Sequence, residues 1–261
     1  MSMGRALIIT LFAASGLHAT AQGLEDIFVE TYAVSPLPNK AGEMLTTYRI
    51  YADLAEGYKL QMAYGDEQHR LKIATTTEFF NDTISGGKFG DRVNGDELRQ
   101  WPAALDTWLT IGAASDMHSG VPKHLDLDGS VIPCPPYADF SIADMKKNAS
   151  AKPVSLATAD GLVRDTARRE VVDFRFASGY LHNIRGGTLL TVDGAWALLG
   201  GTKGTTPENM VLLAQISTTG DLTFQLNLQI AAPDGSVEKV VHNAPGSGET
   251  WHPALSFPPT Q

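Results

Sequence analysis

Hydrophobic and polar residues alternate strictly along the segment from Leu222 to Ile230. Leucine, phenylalanine and isoleucine occupy every second position, and threonine, glutamine and asparagine lie between them. A period of two places the apolar side chains on one face of a β-strand and the polar side chains on the other. The pattern therefore predicts a strand with one face in a core and the other in water.

Turn signals separate short apolar segments throughout the C-terminal third. The predicted neighbouring pairs are residues 188–192 with 195–199, residues 210–217 with 222–230, and residues 222–230 with 237–242. The dipeptide between the first pair, Asp193-Gly194, tolerates the positive φ angles of a tight hairpin turn. Three successive turns of this kind predict an antiparallel meander.

The N-terminal half consists of similar short segments, rich in Tyr, Ile, Thr and Leu and separated by glycine-containing turns. These segments are residues 27–34, 46–54, 58–64, 71–77 and 107–113. The gaps between them are too short for the crossover helices of a parallel α/β fold. We predict an all-β fold, an antiparallel β-sandwich of the jelly-roll-like type.

The segment from residue 115 to residue 166 has an excess of Pro, Gly, Ser and Asp. A structureless connection of this length is unusual inside a compact domain. We predict a single domain over residues 22–261 with a long irregular central connection. The alternative is two lobes, residues 22–114 and 167–261, joined by residues 115–166.

Residues 1–21 have the three parts of a secretory signal peptide. A basic start at Arg5 precedes an apolar run over residues 6–14, and Ala19-Thr20-Ala21 is the small-x-small pattern of a cleavage site. A retained membrane anchor is the weaker interpretation, because a spanning helix needs about 20 apolar residues. We expect cleavage after Ala21 and a secreted protein, extracellular or periplasmic, without an integral membrane segment.

Composition and charge indicate a globular protein that does not bind nucleic acid. The chain is 43% hydrophobic and 19% charged, which is typical of a globular protein, and its formal net charge of -9 argues against nucleic-acid binding. The single cysteine, Cys134, excludes an internal disulfide. It is either a small buried residue or the site of an intermolecular disulfide.

Three segments of the first third carry a resemblance. They are Thr46–Leu54 (TTYRIYADL), Leu60–Asp66 (LQMAYGD) and Thr75–Asn81 (TTTEFFN). In them the chain resembles a broad set of uncharacterised bacterial secreted and cell-surface β-proteins, with a Tyr-x-x-Tyr-x-Asp-Leu strand, a strand ending in Tyr-Gly and a Phe-rich turn. The resemblance implies an extracellular adhesive, matrix or surface role, and it supplies no catalytic residues.

A Ca²⁺ site is one interpretation of the loop that begins at Asp126. Counting from that residue, Asp128 and Ser130 occupy the third and fifth positions of a calcium loop. The sixth and twelfth positions are Val131 and Tyr137, where such a loop has Gly and Glu. The competing interpretation is an ordinary turn, since Asp and Gly favour turn conformations.

Two histidines precede this loop. His118 and His124 are six positions apart, and together with Asp126 they offer a transition-metal set as a further alternative. Solvated loop histidines are the simpler explanation.

Patterns for covalent or hydrolytic catalysis are absent from the sequence. It contains neither a Gly-x-Ser-x-Gly elbow nor a His-Glu-x-x-His motif, and no predicted strand carries a pair of acidic residues two positions apart. Aromatic residues could instead stack on a glycan or fill the core. These residues are Trp101, Trp108, Trp196, Trp251, Tyr48, Tyr51, Tyr58 and Tyr64.

The sequence thus predicts a secreted, non-catalytic binding or structural protein that acts through its surface. Antiparallel edge strands would permit self-association, and a surface glycan or protein is the other predicted partner. No cofactor is predicted apart from Ca²⁺ at Asp126, Asp128 and Ser130. The alternative is a carbohydrate-active hydrolase or a glycan-binding protein.

Overall fold

The computed structural model describes residues 22–37, 40, 42–99, 103–127, 159–165, 170–175 and 186–259. The predicted signal peptide, the middle of the central connection and Cys134 lie outside these residues. Within them, the only helices are five 3-10 turns of three residues each, Gly90–Arg92, Glu97–Arg99, Ala103–Leu105, Lys123–Leu125 and Pro253–Leu255. None of the described helices is long and apolar enough to cross a membrane.

All other regular structure in the described residues is β. The strands are β1 (Leu24–Pro36), β2 (Met44–Leu54), β3 (Lys59–Tyr64), β4 (Leu71–Thr75), β5 (Trp108–Leu109), β6 (His118–Gly120), β7 (Leu162–Arg164), β8 (Val171–Phe174), β9 (Thr188–Thr191), β10 (Ala195–Thr202), β11 (Met210–Thr218), β12 (Leu222–Gln225), β13 (Leu228–Ala231), β14 (Val237–Val241), β15 (Glu249–Trp251) and β16 (Ser256–Phe257).

Three sheets enclose the main core. The first has the order β1-β2-β11-β5, the second β15-β14-β13-β3-β10-β8, and the third β16-β12-β4-β9. Neighbouring strands are antiparallel, apart from the parallel pair β14 and β15. The prediction of an all-β antiparallel sandwich is confirmed, and each sheet contains strands from both halves of the chain.

The two central strands of the first sheet, β2 and β11, are buried on both faces. From β2, Ile50 and Leu54 face the main core, whereas Tyr51 belongs to a second apolar cluster with Trp108 and Leu212. Residues near the ends of the predicted central connection form β6 and β7, which pair with each other, and β7 contributes to this second cluster. Two-sided burial explains why β11 is a nearly continuous apolar segment and not an alternating one.

Two of the three predicted hairpin pairings are wrong. The strands on either side of Asp193-Gly194, β9 and β10, lie in different sheets, and so do β11 and β12. The hairpin of β13 and β14 is confirmed, with Ala231 opposite Val237. A local turn sequence reverses the chain direction but does not determine which strand pairs with which. Here the turns between β9 and β10 and between β11 and β12 lie at corners between sheets.

The alternating segment at residues 222–230 is also divided between two sheets. Its apolar side chains are all buried as predicted, but the strand is interrupted at Leu226 and Asn227. The first part, β12, pairs with β4, and the second part, β13, pairs with β3. This corner places Asn227 beside the ends of β3 and β14, where the candidate site lies.

Candidate functional site

A loop of six residues connects β3 to β4 and supplies two of the candidate ligands. The carboxylate oxygen Oδ1 of Asp66 accepts hydrogen bonds from the backbone N–H groups of Gln68 (2.9 Å) and His69 (2.7 Å). These two bonds fix the carboxylate and bring the His69 ring to the same side of the loop. The loop begins at Gly65, where a Cβ atom would lie 2.3 Å from the Thr191 carbonyl oxygen, so only glycine fits.

The third candidate ligand comes from the other end of the chain. Glu249 is the first residue of β15, which pairs in parallel with β14. Its Oε2 atom accepts a hydrogen bond of 2.8 Å from the backbone N–H of Gly246. One ligand atom from each of Asp66, His69 and Glu249 can be chosen so that all three lie within 4.8 Å of one another.

Burial differs strongly among the three side chains. His69 is 2% exposed, Glu249 10% and Asp66 41%. The imidazole therefore lies at the bottom of the cluster, and the Asp66 carboxylate lies at its mouth. A small ion from solvent would meet Asp66 first.

The hydrogen bonds of the His69 ring define its protonation. The Nε2 atom lies 3.1 Å from the carbonyl oxygen of Ala244, and a carbonyl oxygen can only accept. We therefore assign the proton of the neutral ring to Nε2. The Nδ1 atom then carries a lone pair, and it is buried without a hydrogen-bond partner. It lies 3.5 Å from Oδ1 of Asp66, whereas Oε2 of Glu249 lies 3.7 Å from Nε2.

Asn227 holds the loop against the end of β14. Its Nδ2 group donates to the carbonyl oxygens of Tyr64 (3.0 Å) and His69 (2.8 Å). Its Oδ1 atom accepts from the backbone N–H of His242 (3.3 Å) and from Nδ1 of the same residue (2.8 Å). Asn227 is fully buried and uses both ends of its amide, so it connects the two sides of the site.

The charges of the cluster act on the buried groups beside it. The Tyr64 hydroxyl is buried and has no hydrogen-bond partner. Burial raises its pKa, and the charges of Glu249 and Asp66 raise it further. The pKa of His242 is lowered, first by burial and then by His69 and Arg70. Positive charge is also close, because Lys239 Nζ lies 5.9 Å from the centre of the Tyr64 ring and Arg70 acts on His242.

The predicted calcium loop is only partly described. Asp128 and Ser130 lie outside the described residues. Asp126 is buried, and its Oδ2 atom accepts backbone N–H groups from three consecutive residues, Asp160 (3.1 Å), Gly161 (2.8 Å) and Leu162 (3.2 Å). In the described part of the chain, this carboxylate connects the two ends of the central connection.

The two histidines of the predicted transition-metal set have separate surroundings. Nδ1 of His118 lies 2.8 Å from the Ser115 hydroxyl, in a buried position. The ring of His124 is exposed and packs edge-on against Phe28 at 6.0 Å.

Most of the described aromatic residues proposed for stacking lie in the interior. Trp108, Trp196 and Tyr51 are fully buried, and Nε1 of Trp196 donates to the Thr110 carbonyl. Trp251 is the exception among the described tryptophans, with 37% of its surface exposed. Trp101 lies outside the described residues. Tyr48 and Tyr58 are half-buried, so Trp251 is the most exposed of the described candidates.

Sequence reasoning did not identify the Asp66, His69 and Glu249 cluster. Asp66 lies just after a predicted strand, and no spacing rule connects it to Glu249. No protein family model, no curated protein and no solved structure matches the chain. Functional inference therefore depends on the geometry of the chain itself.

Proposed function

We propose that the chain is an exported β-sandwich binding protein whose site holds a divalent transition-metal ion between Asp66, His69 and Glu249. The observation that carries this proposal is the buried Nδ1 atom of His69, which faces a carboxylate oxygen at 3.5 Å and has no hydrogen-bond partner. A cation between the lone pair of Nδ1 and the carboxylate of Asp66 would be attracted by both.

The separation of the ligand atoms at the His69 ring is close to that in a zinc site. A proton on Nδ1 would give an N–H···O hydrogen bond, for which the two heavy atoms lie about 2.7–3.2 Å apart. Ligand atoms of a tetrahedral zinc site lie about 3.4 Å apart, because each bond is about 2.0–2.2 Å long. The separation of 3.5 Å between Nδ1 of His69 and Oδ1 of Asp66 agrees with the second case.

The surroundings of the ring support the same conclusion. A histidine that ligates through one ring nitrogen usually donates its other N–H group to a carbonyl or a carboxylate. Here Nε2 of His69 has the Ala244 carbonyl at 3.1 Å. A mixed set of one imidazole and two carboxylates suits Zn²⁺ or Mn²⁺ better than Ca²⁺, which prefers oxygen ligands.

Calorimetric titration of chelator-treated protein with Zn²⁺, Mn²⁺ and Ca²⁺ tests the site. We expect one transition-metal ion to bind per chain, and Glu249→Gln and His69→Gln to remove most of that affinity. Glu249→Gln keeps an acceptor for the Gly246 N–H group, so the fold is preserved. His124→Gln is the matched control, because it removes an exposed imidazole elsewhere. Binding lost in His124→Gln but retained in His69→Gln, or no binding at all, would contradict the proposal.

Export is the second part of the proposal. Cleavage after Ala21 would make Gln22 the first residue, and its nitrogen lies 2.8 Å from Oε1 of Glu238. The next N–H, from Gly23, donates to the other oxygen of the same carboxylate at 2.8 Å. A new α-ammonium group at Gln22 would therefore have a carboxylate partner in place. Mass spectrometry of the exported protein should give a chain beginning at Gln22; a chain beginning at Met1 would contradict export.

A carbohydrate-active hydrolase is the second candidate function. Three protein ligands leave a coordination position for water, as catalytic zinc sites do, and a metal lowers the pKa of the bound water. An activity screen on polysaccharides with zinc-loaded protein distinguishes the two functions. If the wild-type protein releases reducing ends from a polysaccharide and Glu249→Gln does not, the result favours the hydrolase over the binding protein.

A further inference from the structure

An exposed tryptophan lies on the same strand as one of the candidate ligands. Trp251 is 37% exposed, although it is one of the largest apolar side chains of the protein. Its Nε1–H group donates to the carbonyl oxygen of His242 at 3.2 Å. This bond holds one edge of the indole in place and leaves part of the ring in solvent.

Trp251 and Glu249 share one face of β15. Residues two positions apart on a strand point to the same side and lie about 6.6 Å apart. The parallel register with β14 places Glu249 opposite Lys239 and Trp251 opposite Val241. Val241 packs in an apolar cluster with Tyr64, whose hydroxyl is the unpartnered group beside the cation site. Glu249 and Trp251 thus project from the same side of the second sheet, as does Lys239, whose Nζ atom lies 5.9 Å from the centre of the Tyr64 ring.

We propose that this side of the sheet binds a saccharide, with two ring hydroxyls on the metal ion and the apolar face of the sugar on Trp251. The inference depends on the proposed metal site, because the ion supplies the polar half of the contact. A metal with three protein ligands keeps coordination positions for ligand oxygens.

The chemistry of the site selects against other ligand classes. A sugar ring combines adjacent hydroxyl groups with a flat C–H surface, and this combination matches a cation beside an indole. The net charge of -9 disfavours nucleic acids and other polyanions. A single exposed aromatic ring is also too small an anchor for a protein interface of ordinary size.

The test uses methyl α-mannopyranoside, methyl α-glucopyranoside and methyl α-galactopyranoside, titrated into the zinc-loaded full chain and followed by saturation-transfer NMR. We expect saturable binding of at least one glycoside and its loss when the metal is removed by a chelator. Trp251→Ala should weaken binding about tenfold, equivalent to about 1.4 kcal/mol, whereas Trp251→Phe should weaken it less. Phe174→Ala, which removes another exposed aromatic ring, is the control and should have no effect.

The outcomes separate the two proposals. Metal binding that is unchanged in Trp251→Ala, together with loss of glycoside binding, supports the saccharide site. Metal binding by the wild-type protein without binding of any of the three glycosides overturns the saccharide site and leaves the metal site intact. Glycoside binding that persists after chelation also overturns it, because the ion is then not a ligand. Failure to bind metal refutes both.

Discussion

The guanidinium carbon of Arg49 lies 3.6 Å from the centre of the Tyr32 ring in the interior of the protein. The same guanidinium donates to Gln215 Oε1 at 3.0 Å and to the Gly161 carbonyl at 2.9 Å. Arg49 thereby joins β1, β2 and β11 to the end of the central connection. A buried cation is held here by a ring and by neutral acceptors, which makes it a sensitive probe of how this layer packs.

Replacing Arg49 by methionine should destabilise the protein. The Gln215 and Gly161 oxygens would lose their donor in a buried site, at a cost of about 1–3 kcal/mol for each unsatisfied group. We expect a loss of about 2–4 kcal/mol in the free energy of unfolding, measured by urea titration followed by circular dichroism. Arg70→Met, which changes an exposed arginine, is the control. Equal effects of the two substitutions would show that the buried contacts contribute nothing.

A buried carboxyl group gives the stability a specific pH dependence. Asp106 accepts the N–H groups of Asp82 (2.7 Å) and Gly87 (2.8 Å), and burial raises its pKa to about 7. A raised pKa means that the folded state favours the protonated form, so stability falls as the pH rises from about 4 to about 7. The unfolding free energy of the wild type minus that of Asp106→Asn should therefore decrease across this range and be constant above it.

The control is the exposed Asp193→Asn. The corresponding difference for this variant reports the general effect of removing one charge. If the two differences change in parallel, the pKa of Asp106 is not raised.

Two substitutions, Asn227→Ala and Asn227→Asp, test the part that this side chain plays in stability and in zinc binding. Asn227→Ala removes the bonds to the Tyr64 and His69 carbonyls and to His242, and we expect a loss of about 2–4 kcal/mol in stability. Asn227→Asp keeps the acceptor for His242 but turns an anion toward two carbonyl oxygens. It should weaken zinc binding about 10–100-fold, as the loss of a group that orients a ligand does. Unchanged zinc affinity in the aspartate variant would show that the loop is held without this amide.

Cleavage after Ala21 should create a small stabilising ion pair. The α-ammonium group of Gln22 would be charged at neutral pH, beside the Glu238 carboxylate at 2.8 Å. Cyclisation of Gln22 to pyroglutamate releases ammonia and removes this charge. The coupling between cyclisation and Glu238→Gln, measured as a double-mutant cycle in unfolding free energy, should be about 0.2–1 kcal/mol. A coupling of zero would remove the support that this contact gives to the cleavage site.

Local patterns predicted most of the longer strands but only one of the three predicted pairings, that of β13 with β14. The alternation in residues 222–230 gave the buried positions correctly, because facing a core is a local property of each strand. The same segment is divided at Asn227 between two sheets, and the strands beside Asp193-Gly194 do not pair. Pairing is decided by burial of both faces of β2 and β11, which depends on segments far away in the chain.

The candidate site also depends on contacts between distant segments, which local sequence patterns do not reveal. Ala244, which fixes the tautomer of His69, lies 175 positions from it in the chain. Glu249 reaches the loop only because β15 adds to the edge of the second sheet in parallel, a pairing that no turn signal predicts. The sequence suggested the Asp126 loop because its acidic residues are close in sequence, whereas in the structure the Asp126 carboxylate binds three backbone N–H groups.

The most direct test of the metal site is the ¹⁵N NMR spectrum of the histidine rings during titration with Zn²⁺. We expect the Nδ1 resonance of His69, identified by its loss in His69→Gln, to move to the position of a metal-bound nitrogen. Its Nε2 resonance should remain that of a protonated nitrogen bonded to Ala244. A shift confined to Nε2, or a His69 ring that does not respond while the protein is saturated with zinc, would contradict it.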